Sequence, residues 1–183
     1  MSDGPFWSRQ SELELYTPLV GDTMLELGNK KNRGFTYKQY FEDRGYKHVS
    51  VDINGKDGAL PYDLTEPMDI GTFDMVSNIG TTEHVGVSWE GQEQCWKNIL
   101  NAMHVGSVLV STTPYPGHWK WHGTWYPFDT FFLTLAEENG MRVDRLYIHP
   151  HHKGDMLYVR LLRVKDQSVP IIRPCNFLEN EID

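Results

Sequence analysis

The sequence predicts a three-layer α/β sandwich around a seven-stranded, mostly parallel sheet whose last strand is antiparallel. Two observations support this prediction. Short apolar runs alternate with segments of helical periodicity, and such alternation is typical of parallel strands joined by right-handed helical crossovers. Near the end of the chain, two segments of alternating pattern are separated by only a short turn, which suits an antiparallel pair.

The first half of the chain contains a lead-in helix, two strands and a connecting helix. The lead-in helix is expected over 8–16 and ends before Pro18. Apolar runs predict buried strands at 23–28 and 48–53. Between these strands, aromatic residues at helical spacing predict a helix over 35–44.

The second half continues the alternation. The segment 59–64 predicts a weaker third strand, because Pro61 interrupts it. Further elements follow in chain order: a strand at 73–79, a helix at 89–104, a strand at 107–112, a helix at 127–140, and strands at 142–149 and 156–164. We expect 23–165 to form one domain, preceded by a lead-in segment at 1–22 and followed by a loosely packed tail at 166–183.

Composition and charge argue against several function classes. The 183 residues suit one domain, and the net charge of −8 argues against a nucleic-acid surface or an anionic membrane as partner. No apolar run reaches the ~20 residues that span a bilayer, and 1–7 lacks the features of a signal peptide. Two scattered cysteines, Cys95 and Cys175, indicate a reducing compartment, so we expect a cytoplasmic protein.

Glycine and acidic residues follow the predicted strands, at the sheet edge where α/β proteins bind ligands. Gly28 allows a sharp turn and the close approach of a ligand. The Asp52 carboxylate can accept hydrogen bonds from both hydroxyls of a ribose, and the Asp63 carboxylate can accept one from an adenine amino group. Taken alone, Gly28 is common in α/β proteins, and Asp52 alone is more typical of a solvated turn.

The order of these segments carries a resemblance. Class I S-adenosylmethionine-dependent methyltransferases, of the type that acts on small molecules or sugars, have an ordered motif series that this chain resembles: ELG at 26–28 with a later glycine, VDI at 51–53, aspartate at 63, and FDMVSNIGTTEHV at 73–85. The resemblance covers about 23–164. It implies a Rossmann-like methyltransferase fold and S-adenosylmethionine as cofactor. The cofactor-binding residues that it implies are Glu26, Gly28, Asn29 and Gly34 in and beneath the first loop, Asp52 and Ile53 at the ribose and adenine, Asp63 and Leu64 at the adenine edge, and Asn78 and Ile79 at the sulfonium end.

The first loop departs from the family pattern, which usually has three glycines at alternate positions. Here 29–33 is polar or basic, and only Gly28 and Gly34 remain. A cationic loop can pair with the methionine carboxylate of the cofactor, and the same residues also suit a solvated turn. A second interpretation therefore stays open, that of a non-catalytic binding protein with an altered loop. A dinucleotide-binding oxidoreductase is not indicated, because the G-x-G-x-x-G pattern is missing.

The segment 114–127 is rich in Trp, His, Pro and Gly, and it follows the fifth strand. It could form an aromatic-walled pocket over a small-molecule or glycan acceptor, or it could be core filling or a lid over the sheet edge. We expect transfer to oxygen, and an acceptor hydroxyl must then lose a proton that a histidine can take. His122 is the first candidate base, His118 the second and His84 the third, although all three also suit purely structural or exposed positions.

We expect no metal ion and no nucleic-acid substrate. His118 and His122 are four residues apart, but the surrounding Pro and Gly disfavour a helix, and no carboxylate accompanies them at ligand spacing. A further histidine group lies at 149–152. Asn78 is not followed by the Pro-Pro-aromatic sequence of enzymes that methylate nucleic-acid amines. A homodimer is conceivable, because an exposed aromatic loop can be buried by a second subunit.

Overall fold

The computed structural model describes residues 6–32, 34–151, 153–174 and 177–179. Its helices are α1 (Phe6–Leu15), α2 (Tyr37–Glu42), α3 (Trp89–Asn101) and α4 (Asp129–Glu138). Its strands are β1 (Thr23–Leu27), β2 (Lys31–Asn32), β3 (Phe35–Thr36), β4 (Lys47–Val51), β5 (Phe73–Ile79), β6 (Met103–Pro114), β7 (Trp125–Pro127), β8 (Met141–His149), β9 (Met156–Arg163) and β10 (Phe177–Glu179). Short 3₁₀ turns lie at Lys56–Gly58 and Thr82–His84.

The central sheet has the strand order β4-β1-β5-β6-β9-β8. The first four of these strands are parallel, and β9 is antiparallel to both β6 and β8. The prediction of a mostly parallel sheet with an antiparallel last strand is therefore confirmed. Parallel neighbours need long crossovers, which α2 and α3 provide, whereas the short turn between β8 and β9 allows only antiparallel pairing.

The third predicted strand, at 59–64, would have brought the sheet to seven strands, and this prediction is wrong for the residues that the structure describes. Only an isolated bridge forms there, between Val51 and Leu60. The Leu60 N–H donates to Ser50 O, and the Asp52 N–H donates to Leu60 O. Pairing ends at this point because the next residue, Pro61, has no N–H to donate.

Two apolar layers, one on each face of the sheet, confirm the three-layer arrangement. Leu25 and Leu27 of β1 pack in the layer that contains Trp96 of α3 and Phe131 of α4. Met24, which points the opposite way from the same strand, packs in the layer of α1 and α2. Alternate residues of a strand face opposite sides, so a strand that is buried on both sides, as β1 is from Met24 to Leu27, requires elements packed on both faces.

The chain segments outside the predicted domain also pack against it. Tyr16 at the end of α1 is fully buried, and Arg160 of β9 donates to the carbonyl oxygens of Leu15 and Pro18. The prediction of a loosely packed tail is wrong for its described part, because Ile172 is buried and β10 pairs with β7. Within the described residues, no helix is long and apolar enough to cross a membrane.

The buried side chain of Asn139 fastens the tail to α4. Its amide donates to Ile171 O at 2.8 Å and accepts from Ile171 N at 2.8 Å. Replacing Asn139 with Ala leaves these buried groups unpaired, and we expect the free energy of unfolding to fall by about 1–3 kcal/mol in urea denaturation. Arg173 provides the control, because its ion pair with Glu138 is partly exposed and Arg173→Ala should cost about 0–1 kcal/mol. An equal cost for the two variants would contradict this assignment.

Candidate active site

Two adjoining cavities lie at the carboxyl ends of the parallel strands, and they share Gly80 and His84. The first, of about 300 Å³, is lined by Gly28, Val51, Asp52, Ile53, Tyr62, Asp63, Leu64, Gly80, Thr81, His84, Val85 and Gly86. The second, of about 280 Å³, is lined by Glu12, Lys30, Gly80, Glu83, His84, Pro114, Trp119, His122, His151, Met156 and Tyr158. We refer to these as the first and second cavities.

Predicted cofactor residues from three segments meet in the first cavity. They are Gly28 after β1, Asp52 and Ile53 after β4, and Asp63 and Leu64. Asp52 Oδ1 accepts from the Asn54 N–H at 3.0 Å, and a carboxylate has about four acceptor positions, so most of its capacity remains. Ile53 is 72% exposed, and such a large apolar side chain at a cavity mouth offers a surface for a flat apolar group.

Asp63 is held as a carboxylate. Its Oδ1 accepts from the backbone N–H of Thr65 at 2.9 Å and from the Thr65 hydroxyl at 2.7 Å. These two hydrogen bonds favour the charged form and lower the pKa of the Asp63 carboxyl. The charged group is an acceptor only, so it can bind a donor such as an amino group but cannot donate.

Gly28 brings the loop after β1 against the loop after β5. Its φ of +86° belongs to the region that favours glycine, and a Cβ there would stand 2.3 Å from Thr81 Oγ1. The Thr81 hydroxyl also donates to Leu27 O at 2.8 Å. Gly28 is therefore needed for the two strand ends to approach each other, in addition to lining the first cavity.

Glu26 and Asn29, two other predicted residues, support this loop without lining either cavity. Glu26 is buried, its Oε1 accepts from the Lys30 N–H at 2.7 Å, and its Oε2 lies 3.0 Å from Nε2 of His48. Asn29 donates from its side-chain amide to Lys56 O at 2.8 Å. Their observed contacts therefore position the first loop and the 3₁₀ turn beside it.

Gly34 does not come to the cavities. The polar loop forms the β2–β3 hairpin, and Gly34 lies in the turn of this hairpin with a φ of +81°. The helix predicted at 35–44 therefore begins two residues later, because 35–36 belong to β3. No described atom lies within 4 Å of the position that its Cβ would take.

Of the loop cations, Lys30 lines the second cavity and pairs with Glu12 at 3.5 Å, whereas Lys31 is exposed. Arg33 lies outside the described residues.

Asn78 and Ile79 are also absent from the lining of both cavities. They still belong to β5, so their side chains point into the layers on either side of the sheet. The Asn78 amide donates to the hydroxyls of Thr82 and Ser111 and accepts from the Thr82 N–H, while Ile79 is buried in the layer of α1 and α2. The cavity lining begins one residue later, at Gly80.

Sequence reasoning missed several lining residues of the first cavity. They are Val51, Tyr62, Gly80, Thr81, Val85 and Gly86. The rule that ligands bind beyond the carboxyl ends of strands indicated this region, and Gly80 and Thr81 directly follow the strand predicted at 73–79. They were missed because the resemblance placed the sulfonium end at Asn78 and Ile79.

The segment after β6 forms one wall of the second cavity and is docked on the turn after β5. The Thr124 N–H donates to Glu83 O at 2.7 Å, and Gly123 packs against the same residue. Its tryptophans have different environments. Trp119 lines the cavity, Trp125 is buried, and Trp121 is 69% exposed. The predicted aromatic wall therefore comes from Trp119 and the histidines beside it.

The candidate histidines separate into two groups. His122 and His84 lie together at the second cavity, with ring centroids 4.9 Å apart. Burial lowers the pKa of both imidazoles. The adjacent His122 lowers the pKa of His84 further, and the charges of Lys153 and Lys30 lower the pKa of His122 further. His118 lines neither cavity, and its Nδ1 accepts from the Asp155 N–H at 3.2 Å.

Glu83 is the side chain that sequence reasoning overlooked. Its carboxyl is 1% exposed, and neither oxygen accepts a hydrogen bond of good geometry from any described residue. Burial raises the pKa of this carboxyl to about 7, in part offset by its own backbone N–H and by the charge of Lys30. Glu83 Oε1 lies 3.9 Å from Nε2 of both His84 and His122.

These three residues can offer ligand atoms that all lie within 4.8 Å of one another. The expectation of no metal ion rested on the spacing of His118 and His122, and on their lack of a nearby carboxylate. The structure instead combines His122 with Glu83 and His84 from a distant part of the sequence. The argument against a metal ion therefore fails for this cluster.

Comparison with solved structures supports the topology. NodS, an N-methyltransferase from Bradyrhizobium japonicum, has 14% identity and a TM-score of 0.68 over 90% of this chain and 100% of its own. The 1,6-didemethyltoxoflavin-N1-methyltransferase of Burkholderia thailandensis has 12% identity and a TM-score of 0.65 over 88% and 82%. StiE O-MT has 9% identity and a TM-score of 0.63 over 87% and 74%. This chain has the Rossmann-like methyltransferase fold. No family model and no curated protein matches it, and likeness at such low identity shows the fold alone.

Gly123 allows the segment after β6 to reach the turn after β5. A Cβ at this position would lie 2.7 Å from Glu83 O, and we expect Gly123→Ala to lower the free energy of unfolding by about 1–3 kcal/mol in urea denaturation. Gly91 is the matched control, because the nearest atom to its added Cβ would be the Thr65 methyl at 3.1 Å, its other contacts are at 3.5 Å, and Ala favours the helix. Gly91→Ala should change stability by less than about 1 kcal/mol. A Gly123→Ala protein of unchanged stability would contradict this docking.

Proposed function

We propose that this chain is an S-adenosylmethionine-dependent methyltransferase that transfers a methyl group to an oxygen of a small-molecule or glycan acceptor. The observation that carries the proposal is the pair of adjoining cavities at the carboxyl edge of the sheet. One cavity presents carboxylates and an exposed apolar side chain, and the other presents imidazoles and a buried carboxyl. Such a pair can hold a nucleoside-type cofactor and an acceptor side by side, which is the positioning that methyl transfer requires.

The first cavity suits the adenosine part of the cofactor. Asp52 would accept hydrogen bonds from the two ribose hydroxyls, and bonds to a charged acceptor contribute roughly 1.5–3 kcal/mol each. Ile53 would cover one face of the adenine, and Asp63 would accept from its amino group. Two neighbours by fold, NodS and the toxoflavin enzyme, have been crystallised with S-adenosylhomocysteine, which supports the same type of cofactor here.

The second cavity is the proposed acceptor site. Its volume of about 280 Å³ suits a small molecule or the end of a glycan chain. Trp119 forms a fixed wall, because its Nε1 donates to Asp155 O at 2.9 Å and its ring stacks on His151. Lys30 lies at the same cavity and would favour the carboxylate of the methionine part where the two cavities meet.

The chemistry of the second cavity favours an oxygen acceptor. A neutral hydroxyl is a weak nucleophile and must lose its proton around the transition state, whereas a neutral amine is nucleophilic enough to attack before it loses a proton. Glu83, His84 and His122 gather groups that can assist loss of that proton. The neighbours by fold include both N- and O-methyltransferases, so the preference for oxygen rests on this cluster.

Calorimetric titration with S-adenosylhomocysteine tests the cofactor assignment. We expect micromolar binding, about −8 kcal/mol, and we expect Asp52→Ala to weaken it at least tenfold because the ribose contacts are lost. Asp69→Ala is the matched control, since Asp69 is an exposed carboxylate that lines neither cavity, and its affinity should equal that of the wild type.

Absence of binding to the wild-type protein at millimolar ligand would overturn the proposed function. The non-catalytic interpretation of the altered loop would then be favoured. Unchanged affinity in Asp52→Ala would remove the ribose assignment alone. Where binding is found, transfer of a labelled methyl group to a panel of hydroxylated compounds and sugars tests the reaction, with matched amines as the comparison.

A further inference from the structure

The Glu83, His84 and His122 side chains meet at the boundary of the two cavities. Each imidazole Nε2 lies 3.9 Å from Glu83 Oε1, and the ligating atoms of all three residues lie within 4.8 Å of one another. Metal–ligand bonds of about 2.1 Å place two ligands of a tetrahedron about 3.4 Å apart. Binding of one ion therefore needs a contraction of about 0.5 Å at each Glu83–histidine distance and of at most about 1.4 Å at any pair in the cluster.

The buried carboxyl is a second and independent indication. Glu83 is 1% exposed, yet neither of its oxygens accepts a hydrogen bond of good geometry from any residue that the structure describes. Buried polar groups are almost always paired, because an unpaired one loses its hydration without compensation. Lys30 lines the same cavity, but its ammonium pairs with Glu12 at 3.5 Å. A bound cation would supply the missing partner.

The backbone segments that carry these three residues are held in place by the fold. The turn that carries Glu83 and His84 is fixed by Gln92, whose amide donates to Thr82 O at 2.9 Å and to Val85 O at 3.0 Å. His122 is fixed on the other side, because its N–H donates to Trp119 O at 3.3 Å. Ligands on rigid supports of this kind lose little freedom when an ion binds.

We propose that Glu83, His84 and His122 form a binding site for a divalent transition-metal ion such as Zn²⁺. Two imidazoles and one carboxylate are the protein ligands of many catalytic zinc sites, and imidazole favours this class of ion over Mg²⁺, which prefers oxygen. Three protein ligands leave a further position open to the second cavity. The histidines at 118, 149 and 151 do not belong to the site, and His152 lies outside the described residues.

The role of the ion in catalysis rests on the proposed function. An acceptor hydroxyl bound at the open position would lose its proton to water more readily, because the ion stabilises the alkoxide. The oxygen then forms a bond to the methyl carbon as the carbon–sulfur bond breaks, and its electron pair returns to sulfur, which leaves as a neutral thioether. His122 would act as a ligand in this scheme and would not be the general base that the sequence suggests.

Zinc titration of chelator-treated, dialysed protein tests the site directly. Calorimetry should show one site with a Kd in the micromolar range or tighter. His84→Asn, His122→Asn and Glu83→Gln should each weaken zinc binding at least tenfold. The two histidines are 47% and 44% exposed, so their variants are expected to fold even if the buried Glu83 does not tolerate change.

His104→Asn is the matched control. His104 is similarly exposed and also contacts a carboxylate, Asp74 at 3.2 Å, but it lies at the start of β6, at the opposite edge of the sheet. Its zinc affinity should equal that of the wild type. Absence of zinc binding, or equal weakening in His104→Asn and the cluster variants, would overturn the proposal.

The S-adenosylhomocysteine affinity of the same variants separates this proposal from the proposed function. Zinc binding without S-adenosylhomocysteine binding would preserve the metal site and reject the methyltransferase. The reverse result would reject the metal site alone. If both bind, methyl transfer to the hydroxylated acceptor should be lost on chelation and return with Zn²⁺, and transfer that survives chelation would overturn the catalytic role of the ion.

Discussion

The turn Thr82–His84 is held by two fully buried amide side chains. Asn78 at the end of β5 exchanges hydrogen bonds with Thr82 from below, and Gln92 of α3 donates to the carbonyl oxygens of Thr82 and Val85 from the side. Neither amide can be lost without leaving buried groups unpaired. The backbone just before this turn lines the first cavity and the turn itself lines the second, so the position of both cavities depends on these bonds.

The two cavities receive different chemistry because different parts of the fold build them. The first is formed by the strand ends of the parallel half of the sheet, where turns favour aspartate and glycine, and its acidic groups are the carboxylates of Asp52 and Asp63. The second is closed by the segment after β6, which brings aromatic and imidazole rings. A backbone hydrogen bond from the Thr124 N–H to Glu83 O joins the segment after β6 to the turn after β5. This bond brings His122 to that turn.

Local patterns in the sequence were sufficient for most of the sheet, because apolar runs and helical periodicity record which faces are buried. They also located Asp52 and Ile53, which directly follow β4, and Asp63, which lies in the loop between β4 and β5. The absence of a strand at 59–64 depends on the residue at which pairing stops, which periodicity does not fix. The strand at 73–79 was predicted with its correct end, but the roles of Asn78 and Ile79 came from the resemblance, and both side chains point into the layers beside the sheet. The cluster of Glu83 with His122 could not be predicted, because the two lie far apart in sequence and meet only through tertiary docking.

A crystal structure of the protein with S-adenosylhomocysteine tests the central claim most directly. The ribose hydroxyls should bind the Asp52 carboxylate, the adenine should lie against Ile53 beside Asp63, and the sulfur should face Gly80 and His84 at the boundary of the two cavities. Ligand bound elsewhere, or bound here with its ribose away from Asp52, would contradict the assignment of the first cavity to the cofactor.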